Sequence, residues 1–91
     1  MPLKWTRPSI NDLREAGEFI ASDNPQAAER MAERVQEAVE YLLEHPNMGR
    51  VGRVSGTREL VVSGTPFIIV YRVIVSTIQI LRVLHHSRKW T

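Results

Sequence analysis

The residues best suited to chemistry lie in the run LHHSRKWT, where His85 and His86 are followed by Arg88, Lys89 and Trp90. Histidine titrates near neutrality, so either ring could exchange a proton at a scissile phosphate while an arginine stabilises the developing charge. Arg58, Arg72 and Arg82 are the candidates for that second role, since they fall on successive strand-forming stretches and would converge if the register allowed it. Planar guanidinium groups suit bidentate contact with phosphate or carboxylate. The same residues read equally well as a binding patch. Arg82, His85, His86, Arg88 and Lys89 would grip a partner, and Trp90 would stack on a base or fold back onto an open core edge. Adjacent histidines on an extended chain point to opposite sides, and His45 is remote in sequence, so no metal site is expected. No cofactor is implied either, because GRVGRVSG lacks the spacing and the lysine of a phosphate-binding loop.

The chain that must position these residues has 91 residues and no cysteine, which excludes disulfides and thiol catalysis. Its length suits one domain, spanning residues 1–91, with one modest core. Its 43% hydrophobic and 24% charged residues are ordinary for a globular chain. No apolar run approaches a membrane span, and MPLKWT lacks the apolar stretch of a signal peptide, so a cytoplasmic location is the expectation. Charge is divided unevenly. Residues 1–45 hold five Lys/Arg and nine Asp/Glu, whereas residues 46–91 hold seven and one, the single acid being Glu59. Such a division favours a nucleic-acid or acidic-protein partner for the second half, unless the halves neutralise each other within the fold.

Periodicity supplies the elements. Leu3 and Trp5 suggest an opening strand, and Thr6 followed by Pro8 suggests a capped helix carrying Ile10, Leu13, Gly17 and Ile20 inward, with Asp12, Glu15 and Glu18 outward. Asn24-Pro25 starts a second helix whose stripe is Ala28, Met31, Ala32, Val35, Val39, Leu42 and Leu43, and His45-Pro46 ends it. MGRVGRVSGT then reads as a loop, and strands are expected at Arg58–Val62, Pro66–Val75 and Thr77–Leu84 with turns at Ser63-Gly64-Thr65 and Ser76. On the middle strand Phe67, Ile69, Tyr71 and Val73 share one face, opposite Ile68, Val70, Arg72 and Ile74. The order β-α-α-β-β-β predicts an α+β two-layer sandwich, a helical hairpin packed on an antiparallel sheet. That hairpin covers one face only, leaving the other for a partner.

Five segments in order carry a resemblance: the opening KWT and its helix, DNPQAAERM, HPNMGRVGRVSGTRELVV, PFIIVYRV and IQILRVLHHSRKW. Together they resemble the RelE/ParE superfamily of toxins from type II toxin–antitoxin modules, over almost the whole chain. The resemblance implies growth arrest, plasmid stabilization, neutralisation by a cognate antitoxin, and assembly as a homodimer or a hetero-oligomer with that antitoxin. It also implies one of two targets. ParE-like members poison DNA gyrase without a known enzymatic activity; RelE-like members are mRNA endoribonucleases that cut in the ribosomal A site. Ile68 stands where some nuclease members carry an arginine, and residues 46–65 contain Arg50, Arg53 and Arg58 but no lysine. GTRELVV, PFIIVYRV and LRVLHHSRKW are similar to the ParE-like branch, so gyrase is the favoured target and the ribosome with mRNA the alternative.

Overall fold

Two helices and five strands make up the architecture, described for residues 1–86 in a computed structural model. A short strand β1 (Leu3–Trp5) leads into α1 (Arg7–Ala21) and α2 (Pro25–Glu44). Then come β2 (Arg50–Val51), β3 (Arg58–Val61), β4 (Phe67–Ile74) and β5 (Thr77–His85). Both helices start where side-chain oxygens satisfy free amides: Thr6 Oγ1 accepts from the Ser9 N–H at 3.2 Å, and Asn24 Oδ1 accepts from the Ala27 N–H at 3.1 Å.

The sheet order is β1-β5-β4-β3-β2. Four of the strands are antiparallel neighbours, as the short connections require, but β1 runs parallel to β5, so the sheet is mixed. The helical passage between β1 and the rest permits that parallel pairing. The expected loop after α2 also contains β2, a two-residue strand paired with Arg58 and Glu59.

Met31, Val35, Val39 and Leu42 of α2 bury themselves against Val62, Phe67, Ile69, Tyr71, Ile78, Ile80 and Val83, with Leu13, Ala16 and Ile20 of α1 packed alongside. Ile10 and Leu43, placed on the inward stripes by periodicity, are instead partly exposed at the stripe margins. Tyr71 ties α2's exit to the sheet: its hydroxyl donates to the Pro46 carbonyl at 2.7 Å and accepts from the Gly49 N–H at 2.9 Å. Burial pushes its pKa up despite that amide, keeping the donor proton in place. A Cβ at Gly49 would lie 2.7 Å from the Tyr71 ring, so glycine is required by close approach.

β5 changes parity midway. Ile80 faces Tyr71 and Arg82 faces Val70, leaving Leu81 as an extra residue, a β-bulge. Ile78 and Ile80 therefore point to the helices, and beyond the bulge Val83 does so too while Arg82 turns to the back. The back face is not left bare at its centre. Ile68, Val70 and Leu84 are buried, and the connection between β2 and β3 folds across, bringing Val54 to Thr57 beside Arg72 and Arg82.

Candidate functional site

The three arginines do not converge. Arg58 pairs with Tyr71 in the register and lies on the helical side, where its guanidinium donates to the carbonyls of Gly49 at 2.8 Å and Asn47 at 3.3 Å. It closes the chain's exit from α2. Arg72 and Arg82 share the back face and line one shallow groove of about 650 Å³ with Thr6, Pro8 and Leu81. Arg72 donates from Nε to Gln79 Oε1 at 2.6 Å. Arg82 is held by Asp12, which accepts from Nε at 2.7 Å and from Nη2 at 2.9 Å. Asp12 also accepts from the Val83 N–H at 3.0 Å.

That last contact assigns Asp12 a place the helical pattern did not. β1 ends at Trp5, so beyond Ile80 the outer edge of β5 lacks a partner strand. Thr6 caps the transition, its N–H donating to the Ile80 carbonyl and its hydroxyl to that of Leu81, both at 3.0 Å. In the second turn of α1, Asp12 supplies the acceptor a strand would have supplied. It faces the sheet, not solvent, and its side chain is only 10% exposed. In sequence it looks like any outward acid beside Glu15.

The histidines sit at the far end of β5. His85 is the last strand residue, edge-on to Phe67 with ring centroids 5.7 Å apart. It lines a groove of about 450 Å³ with Asp12, Glu15, Phe19 and Val83, in which Phe19 is 70% exposed. His86 lies in the turn that follows and donates its N–H to the Pro66 carbonyl at 2.8 Å. Because the strand ends between them, the rings do not diverge as an extended chain would require; they stack at 4.8 Å. Arg88, Lys89 and Trp90 lie outside the described residues.

The one acid of the basic half is structural, and it is the most deeply buried charge among the described residues. Glu59 is 2% exposed on the back face and accepts from the Arg53 N–H at 3.0 Å, from Arg53 Nε at 3.3 Å and from Arg50 Nη2 at 3.1 Å. Burial alone would raise its pKa, but the amide and both guanidinium groups together bring it below the ordinary glutamate range. Much of the basic excess is thus engaged within the fold: Arg50 and Arg53 bond Glu59, Arg58 bonds carbonyls, and Arg82 bonds Asp12.

A group with a depressed folded pKa adds stability above its unfolded value of about 4.3, and loses it as pH falls through the folded value. Glu59→Gln should therefore cost about 1–3 kcal/mol at neutral pH. Urea titrations at several pH values should find the gap between wild type and variant narrowing below about pH 4. A gap that stays constant under acid would show that the charge of Glu59 is not what anchors the loop.

Residues 3–90 match the family described as the ParE toxin of type II toxin–antitoxin systems, parDE. The chain belongs to the ParE toxin family. Its relatives agree: a protein named putative toxin Y4kP from Sinorhizobium fredii is 42% identical over 97% of this chain and 91% of its own length. Toxin RelE2 from Caulobacter vibrioides is 37% identical over 92% and 93%. Among solved structures, the chromosomal ParDE system of P. aeruginosa superposes with a TM-score of 0.84 at 32% identity, covering 93% of this chain and 95% of that one. The toxin–antitoxin complex RelBE of E. coli matches at 0.58 and 14% identity over 90% and 92%, a likeness of fold alone. This ParE-family chain is thus a type II toxin of the RelE/ParE superfamily, with two helices on a five-stranded mixed sheet. Among its described residues no helix is long and apolar enough to cross a membrane.

Proposed function

We propose that this ParE-family toxin arrests growth by inhibiting DNA gyrase in the cytoplasm, and that a cognate antitoxin neutralises it. The observation that carries the reading is the dispersal of the nuclease candidates. Phosphodiester cleavage needs a proton-transfer group and a charge-stabilising cation within reach of one phosphate. Here Arg58 stands on the face opposite Arg72 and Arg82, Arg82 shares a groove with Arg72 but is bonded through its guanidinium to Asp12, and the histidines stack on each other at the far end of β5. Binding toxins need no such convergence. Membership of the ParE family and the higher TM-score with ParDE support the same choice.

The alternative, a ribosome-dependent mRNA endonuclease, is favoured by one observation, the relative named toxin RelE2. It predicts that one histidine carries about 10²–10⁴-fold in rate. The gyrase reading predicts that His85→Ala and His86→Ala keep most of their toxicity, whereas a chain ending at Ser87, without Arg88, Lys89 and Trp90, is weakened. Induced expression, followed by thymidine and leucine incorporation and by a gyrase supercoiling assay, tests both. Thymidine incorporation should fall first. Early loss of leucine incorporation with cleaved messages, abolished by one histidine change in a folded protein, would replace gyrase with the ribosome.

A further inference from the structure

The turn between β4 and β5 is built from the wrong residues for its shape. Ile74 pairs with Thr77, so Val75 and Ser76 alone form the loop, with φ of +47° and +59°. Two positive φ values in a two-residue hairpin make a mirror-image turn that favours Asn-Gly. A β-branched residue is strongly disfavoured in that region, because its Cβ crowds the following carbonyl. Val75 recovers nothing by burial. It is 91% exposed, and Val73 and Ile74 beside it are 39% and 42% exposed. A strained position and a run of exposed aliphatic residues both work against stability, and such combinations cluster where a surface makes contact.

The surroundings give the contact a chemistry. Lys4, Gln79 and Arg72 stand in register across β1, β5 and β4, and line a shallow depression with Ile74, Val75 and Thr77. Gln79 orients Arg72 through Nε, and among the described residues neither Arg72 nor Lys4 has a carboxylate partner. The tip is an aliphatic knob beside two available cations. It lies at the opposite end of the nine-residue β5 from His85, on the order of 25 Å away at the usual rise per residue.

We infer that this hairpin tip inserts into an apolar, acid-rimmed socket on the folded protein that the toxin poisons. The inference rests on the toxin reading and adds a second target contact to the one expected of residues 88–90. A convex knob fits a socket in a folded partner; an antitoxin segment, laid down as it orders, needs an extended groove such as that beside Phe19. Aliphatic side chains, with no aromatic ring among the described residues that line the tip, favour protein over nucleic acid, which would be gripped by charge and stacking.

The double variant Val75→Asn/Ser76→Gly decides the matter, since it supplies the residues the turn prefers. It should raise Tm by about 4–8 °C, keep antitoxin binding, and lower toxicity by at least about tenfold, the effect of losing one central contact. Lys4→Glu should lower toxicity more mildly. Full toxicity in the stabilised variant would overturn the inference, as would loss of antitoxin binding. Loss of toxicity in Lys4→Glu alone would also overturn it, pointing to a partner held by charge, such as nucleic acid. Binding of wild-type toxin to purified DNA gyrase is measured separately, so failure of the gyrase reading stays distinct from failure of the tip.

Discussion

Leu42→Ala will lower the free energy of unfolding by about 2–5 kcal/mol, and Ile69→Ala will do much the same. Both side chains are fully buried, Leu42 on the inward stripe of α2 and Ile69 in the central strand, within the apolar cluster that joins helices to sheet. Truncation removes the transfer free energy of three carbons and leaves a cavity that the packed sheet cannot close, because Ile69 is fixed between Leu60 and Val83. A small domain has about 5–15 kcal/mol of stability in total, so either change takes a large share. Chemical denaturation gives the number. Costs below about 0.5 kcal/mol at both sites, the range for surface positions, would mean that helix and sheet meet on other faces. Reduced toxicity in these variants reflects unfolding and carries no information on the target.

What could be read in sequence follows the range of the forces involved. Helix starts were legible because Thr6 with Pro8 and Asn24 with Pro25 act within one turn of chain. The core was legible because Met31, Val35, Val39 and Leu42 repeat at helical spacing, and Ile69 and Tyr71 at strand spacing. The parallel partner of β1 was not, since nothing local to Leu3–Trp5 encodes a strand more than 70 residues away. The bulge at Leu81 shifts the whole end of β5 by one residue, and no turn-forming residue announces it. That shift decides where Arg82 points, so the convergence of the arginines could not be judged beforehand. Val75 escaped for the opposite reason: its side chain favours a strand, and only Ser76 carries a turn signal. Asp12 and Glu59 are polar residues whose burial depends on partners brought by folding. Polarity alone marks both as surface.

Asp12→Ala will cost about 3 kcal/mol, near the lower bound for removing one member of a buried ion pair. The reason lies in geometry as much as charge. Asp12 bonds the Arg82 guanidinium through both oxygens and caps the Val83 amide at a sheet edge where β1 no longer reaches. Alanine therefore leaves a half-buried guanidinium and a backbone donor short of their acceptor at once. A double-mutant cycle with Arg82→Ala separates the two contributions. Removing Arg82 first deletes the charged pair, so the further cost of Asp12→Ala should shrink to about 1 kcal/mol, the share of the Val83 amide. Equal costs in both backgrounds would mean that the ion pair adds nothing beyond the amide. The cycle also bears on function. Arg82 is one of the three arginines a nuclease reading would select, yet its replacement disturbs the anchor between α1 and β5. Loss of toxicity in Arg82→Ala implicates target contact only if Asp12→Ala, destabilised to the same degree, remains toxic.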